Sequence, residues 1–194
     1  MNDERIKLFE DVFGSVVSLN DEMQEYLSSH FVERTYAPKS LLVESGGPAK
    51  SFYLVQSGVQ MLYLISASGE KVILGFSFQG NMSGVYDAFI KQKPSTLFLE
   101  ALTPSQMLAI SYRDFEEMFN RFPELLKWRA NFAENILFGR LSREVEIMTL
   151  SAKDRFDAFV KRCPQELLQI PQKYLASYLN MKPETFSRLR AIRD

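Results

Sequence analysis

The sequence predicts an α+β chain: a many-stranded β-domain, then a long helix, then a helix-turn-helix. Three observations predict it. Short apolar or alternating runs punctuated by Gly and Pro fill residues 31–111. An apolar stripe at helical spacing runs from Glu124 to Leu150 without an interrupting proline. The last 25 residues or so read as two short helices hinged at Asn180. The chain therefore divides into a β-domain over 1–120, a long helix over 121–150 and a helix-turn-helix over 151–194.

The first 31 residues are expected to be largely helical, with Asn20-Asp21 as the N-cap of a short helix carrying Met23, Tyr26 and Leu27. The strand candidates are Phe31–Tyr36, Leu41–Val43, Ser51–Val55, Gln60–Ile65, Lys71–Phe78, Thr96–Leu102 and Gln106–Ser111. Ala37-Pro38, Gly46-Gly47-Pro48, Ser57-Gly58, Ala67-Ser68-Gly69 and Thr103-Pro104 supply the turns. Many short strands at regular spacing indicate a sandwich, a barrel or a roll.

Helical periodicity returns at Arg113–Phe119, and Pro123 then sits near the first turn of the long helix, where its missing N–H does no harm. Trp128, Phe132, Ile136, Leu137, Leu141 and Val145 follow at three- and four-residue steps. Such a helix would be about 40 Å long. A domain this small has little surface to cover it, so the stripe is expected to pair with a second copy; the alternative is a helix lying along its own β-domain. Ser151 with Asp154 resembles a capping box opening another amphipathic helix that ends near Pro164.

Composition narrows the chemistry. Hydrophobic residues make up 46% and charged residues 24% of 194, with 16 Phe, which is the profile of a globular chain with a large core. One cysteine, Cys163, leaves no internal disulfide and no protein-only Cys₄ metal site. One histidine, His30, removes the metal triad that an enzyme on such a β-roll would need, and there is no nucleophile–base pairing or P-loop. An enzyme is not expected. No run approaches the ~20 apolar residues of a membrane helix, and the acidic start Met1-Asn2-Asp3-Glu4 does not look like a signal peptide. A cytoplasmic protein without a membrane partner is expected. The net charge is −1, yet from Lys153 onward nine Lys/Arg face five Asp/Glu, against fourteen and nineteen before it. An acidic body with a basic tail suggests two parts with different partners.

The densest signal is Ile170-Pro-Gln-Lys-Tyr-Leu-Ala-Ser-Tyr-Leu-Asn-Met-Lys-Pro-Glu-Thr-Phe-Ser-Arg-Leu-Arg190. Leu175, Ala176 and Leu179 turn one face of the first helix inward, and Ala176 is small enough for a tight crossing. Asn180 tolerates the positive φ of the turn, Met181 plugs the corner and Pro183 opens the second helix. Phe186 and Leu189 lie on its buried side, leaving Glu184, Thr185, Ser187, Arg188 and Arg190 outside. This run closely resembles the C-terminal segment of CRP/FNR-family transcription regulators. Leu41-Leu-Val-Glu-Ser-Gly-Gly-Pro-Ala-Lys-Ser-Phe-Tyr-Leu-Val-Gln-Ser-Gly58, with the hairpin Ser68-Gly69-Glu70, resembles that family's sensor domain.

The resemblance implies a β-roll/jelly-roll cyclic-nucleotide-binding-like domain, a dimerisation helix and a DNA-reading head. It implies that Glu184 and Arg188 contact base edges, where a carboxylate accepts from cytosine N4 and Arg grips guanine. Lys182, Thr185 and Ser187 would meet phosphates, with Arg190 close by. Double-stranded DNA and a second copy are the implied partners, with RNA polymerase a further candidate. Pro183 stands where well-known members have Arg, so their operator is not carried over, and the family's frequent wing hairpin is expected to be absent after Asp194. The resemblance also implies a switch in which a ligand beside the long helix alters its register or order. The alternative is a ligand-binding or protein-interaction module whose helix-turn-helix does not bind DNA.

The ligand motif departs from the family. A cAMP-binding member has Phe-Gly-Glu at its phosphate cassette and, downstream, an Arg for the cyclic phosphate. Here Val85 falls where that Glu would be and Ser95 where the Arg would be. A buried phosphate without Arg is poorly compensated, so cAMP is not the expected effector. A different small molecule would use Gly84, Val85, Tyr86, Ser95 and Thr96; otherwise the pocket is collapsed. Iron–sulfur and haem sensing lack ligands, His30 and Cys163 being candidates in name alone.

Overall fold

The computed structural model describes residues 3–163, 167 and 170–192. Two helices, α1 (Asp3–Phe13) and α2 (Asp21–His30), lead into eight strands. Asn20 caps α2 as expected, its side chain accepting from Met23 N at 2.9 Å. The strands are β1 (Val32–Tyr36), β2 (Leu41–Val43), β3 (Ser51–Ser57), β4 (Gln60–Ile65), β5 (Lys71–Ser77), β6 (Met82–Ser83), β7 (Phe98–Ala101) and β8 (Ser105–Ser111). A short helix, α3 (Tyr86–Lys91), separates β6 from β7.

The strands form two four-stranded sheets, β1-β8-β3-β6 and β2-β7-β4-β5. In the first, β8 is central: Ala109 lies opposite Val32 on one side and Tyr53 on the other, all antiparallel. Most neighbours in space are distant in sequence, which is the β-roll/jelly-roll topology. The sequence places seven of the strands; β6, with two residues, and α3, with six, are too short to carry a period.

After β8 come α4 (Tyr112–Arg121), a 3₁₀ turn (Pro123–Leu125) and the long helix α5 (Leu126–Thr149). Pro123 thus starts a 3₁₀ turn, and the α-helix follows it. The chain ends in α6 (Ala152–Arg162), α7 (Gln172–Tyr178) and α8 (Pro183–Ala191). Pro164, the expected stop of α6, lies outside the described residues. The contacts resolve into two compact units: residues 1–62 with 76–133, and residues 63–75 with 134–194.

The first unit is built on aromatic packing. Phe9, Phe13, Phe31, Phe52, Phe89 and Phe115 are all fully buried. Trp128 joins them. Its ring lies 4.5 Å from Phe13 and 5.3 Å from Phe132, and its indole N–H donates to Val12 O at 2.9 Å. This corrects the expectation for the dimer helix: Trp128 is buried and Phe132 packs on the same core, covered by their own chain. Between the sheets runs a buried polar chain. Gln60 donates to Ser105 Oγ at 3.0 Å, and Ser77 Oγ bridges Gln60 Oε1 at 3.3 Å and Ser83 Oγ at 2.7 Å. Each polar group finds a partner, as burial requires.

The β3–β4 turn leaves little room. Gly58 has φ +90°, and a Cβ there would stand 2.5 Å from Pro104 O and 2.4 Å from Ser105 Oγ. Gly58→Ala combines a disfavoured φ with a clash against backbone and should cost ~3 kcal/mol. Urea unfolding will read it as a lower midpoint at unchanged slope.

Candidate nucleic-acid interface

The second unit holds the helix-turn-helix. Helix α7 ends in a Schellman arrangement: Met181 N donates to Ala176 O and Asn180 N to Ser177 O, both at 3.0 Å. Asn180 occupies the left-handed position that this closure needs, at φ 51°. The turn was therefore legible from the sequence. Lys182 is the extended N-cap residue of α8, with Pro183 at N1.

Phe186 is the buried anchor of α8, its ring 5.3 Å from Phe156 of α6 at 78°. Leu175, Ala176 and Leu179 are buried from the α7 side. Arg155 of α6 holds the turn from below, donating to Leu179 O at 2.9 Å and Asn180 O at 3.1 Å. It also reaches back to Leu150 O at 2.6 Å, just past the end of α5. Sequence reasoning did not find Arg155, because its partners are 24 and 25 residues away.

With Phe186 inward, the outer face of α8 follows from helical spacing. Glu184, Ser187 and Arg188, at i, i+3 and i+4, share one exposed face, and Lys182 is exposed at the start. Thr185 and Arg190 are half-buried at the flanks. The structure brings all six candidate DNA residues onto one short helix and its cap. Glu184 lies in the first turn, and Arg188 and Arg190 in the last, which also suits the helix dipole.

Helix α6 is tied to α5 by a two-point ion pair. Arg162 Nη1 and Nη2 lie 2.5 and 2.6 Å from the two Glu146 carboxylate oxygens. The hydrogen bonds from Arg162 hold the Glu146 carboxyl below its ordinary value. Ser151 caps α6 as expected, accepting from Asp154 N at 3.2 Å.

The sensor candidates divide. Gly84, Val85 and Tyr86 lie together at the start of α3, and Val85 is buried. Gly84 faces Phe52 so closely that a Cβ would fall 2.3 Å from its ring. Tyr86, Phe89 and Phe132 surround Phe52 with ring centroids 5.4–5.7 Å away. Ser95 belongs elsewhere. Its backbone pairs with Gly46 and Gly47, and its hydroxyl donates to Leu97 O at 2.7 Å and accepts from Leu97 N at 3.0 Å. Thr96 is exposed. His30 stacks on Tyr26, with Nδ1 2.8 Å from Tyr26 O. Among the described residues no group of three or more His, Cys, Asp or Glu could hold a metal ion, and no described helix is long and apolar enough to cross a membrane.

A β-roll, a long helix and a helix-turn-helix follow one another along the chain, the architecture of a cyclic nucleotide-binding-like domain joined to a helix-turn-helix. The comparisons agree. Residues 33–122 match the cyclic nucleotide-binding domain family. The regulatory protein HlyX of Actinobacillus pleuropneumoniae is 24% identical over 160 residues, 77% of this chain and 66% of that protein. The fumarate and nitrate reduction regulatory protein of Yersinia pestis is 26% identical over 160 residues, 76% of this chain and 63% of its own. This chain therefore spans about two thirds of the length of these curated relatives. FixK2 from Bradyrhizobium japonicum superposes with a TM-score of 0.75 at 16% identity, covering 84% of this chain and 83% of that one. The regulator CLP of Xanthomonas campestris gives 0.71 at 19%, covering 90% and 92%. The chain thus carries a cyclic nucleotide-binding domain over residues 33–122, is similar in sequence to these regulatory proteins and shares the fold of FixK2.

The Glu146–Arg162 pair predicts a pH dependence. A depressed carboxyl contributes stability that is fully present above the ordinary value of 4.5 and fades as pH falls through the lowered one. The Arg162 side chain is 50% exposed, so solvent screening keeps the contribution below ~1 kcal/mol. Glu146→Gln should therefore be less stable than the parent at neutral pH and converge with it in acid. Paired urea titrations across that range measure the difference.

Proposed function

We propose that this chain is a DNA-binding transcription regulator that acts as a homodimer on a near-palindromic operator. The observation that carries the reading is the exposed face of α8: Glu184, Ser187 and Arg188 outward over a buried Phe186, with Lys182 at the cap. A recognition helix needs this chemistry at its N-terminal half, carboxylate and guanidinium for base edges, hydroxyl and ammonium for phosphates. In this reading Glu184 and Arg188 read bases, while Lys182, Thr185, Ser187 and Arg190 position the backbone.

Dimerisation is supported by α5. Leu137, Phe138, Leu141, Val145 and Met148 are 48–75% exposed, an apolar stripe that a second α5 would cover in coiled-coil fashion. Ile136, at 36% exposure, borders it. The protein would work in the cytoplasm, where its operator and RNA polymerase are, and would not be an enzyme. The names of its relatives support a regulatory role.

The sensor half does not take cAMP in this proposal. Val85 and Ser95 offer neither carboxylate nor guanidinium, and Phe52 with its aromatic neighbours occupies the space beside α3. A small molecule of another kind is the effector sought.

Selection from random duplex DNA on the purified protein tests the reading. A palindrome with half-sites about 34 Å apart is expected, and Arg188→Ala should lose about 1–3 kcal/mol at one base position and relax specificity there. No enrichment in the absence or presence of metabolite extract would instead indicate a module that does not read DNA. Separately, saturating cAMP should leave the melting temperature unchanged; a rise would overturn the assignment of Val85 and Ser95.

A further inference from the structure

Strand β5 is the edge of its sheet, so its outward backbone groups need partners from elsewhere. Within the second unit, the helix-turn-helix supplies them. Ile73 N donates to Ser177 Oγ at 3.1 Å, and the same hydroxyl donates to Lys71 O at 3.2 Å. Residues 71 and 73 present these groups on the same side of the strand, so one serine of α7 stands in for a residue of a neighbouring strand.

Arg143 of α5 makes a second tie. Its Nη2 reaches Ile73 O at 3.3 Å, and Nη2 and Nε reach Tyr178 O at 2.7 and 3.1 Å. Its guanidinium lies over the Tyr178 ring, 4.8 Å from the centroid. Next to it Arg140 reaches Leu74 O at 3.3 Å. Three side chains on two helices thus bond the backbone of one edge strand.

The contact bounds a cavity of about 870 Å³. One wall is Glu70, Lys71 and Val72 of the hairpin; the other includes Tyr174, Lys182, Pro183 and Glu184. The second wall is the start of α8, the part of a recognition helix that must meet base edges. A major groove is about 12 Å wide and flanked by phosphates, so a duplex seated on the start of α8 would have to share the space that the hairpin lines. Glu70 adds a like charge to that wall, while the Lys71 ammonium is turned over the Tyr63 ring at 4.2 Å.

We propose that this contact is an autoinhibitory latch: the β4–β5 hairpin, held by Ser177 and Arg143, closes the start of α8 to duplex DNA. DNA binding then requires β5 to be released. The inference rests on the DNA-reading role of α8 proposed above.

Ser177→Ala removes both hydrogen bonds without altering charge, and Ser177→Thr keeps the hydroxyl. Binding of a random-sequence duplex at fixed salt is followed by fluorescence anisotropy, so no operator is needed. Ser177→Ala should bind about tenfold tighter than the parent, with Ser177→Thr near the parent. Equal or weaker binding by Ser177→Ala overturns the latch and leaves DNA reading intact. Absence of binding by all three proteins overturns both, which separates the two failures. A second readout needs no variant: amide exchange at Ile73 in the parent protein should accelerate when duplex is added. Unchanged or slower exchange there overturns the latch.

Discussion

The indole of Trp128 fixes the start of α5 on the core of the first unit. It is buried against Phe13 and Phe132, and its N–H satisfies Val12 O, so packing and polarity both fix one orientation. Removing such a ring from a close-packed core costs ~3–5 kcal/mol. The consequence lies downstream. Phe132 is the last α5 residue packed on that core, and from Ile136 the apolar residues of the helix are exposed. The same helix thus serves as core at its start and as an unpaired surface further on.

The interior of the roll is organised around a missing atom. Gly84 has no Cβ, and Phe52 uses that space, bringing Tyr86, Phe89, Phe115 and Phe132 into ring contact. The polar groups between the sheets are spent on one another, Gln60 with Ser77 and Ser105, and Ser77 with Ser83.

What was legible in the sequence was what is local. The cap at Asn20, the cap at Ser151, the positive φ at Asn180 and seven strands each follow from a few adjacent residues. So did the face of α8, once Phe186 was set inward. The rest depends on partners far along the chain. Periodicity marks Trp128 and Val145 as one stripe, although only the former is covered. Ser177 reads as a polar position in a short helix, yet its partners are 104 and 106 residues away. Ser95 falls roughly where the resembled motif has its Arg, while its hydroxyl is committed to the backbone two residues on.

Arg155 carries a mechanical consequence. One guanidinium grips Leu150 O beyond α5 and, at the same time, Leu179 O and Asn180 O at the helix-turn-helix corner. A joint with three fixed points resists bending. Within the second unit, the end of the long helix and the helix-turn-helix corner therefore hang on one guanidinium, and removing it would loosen both at once.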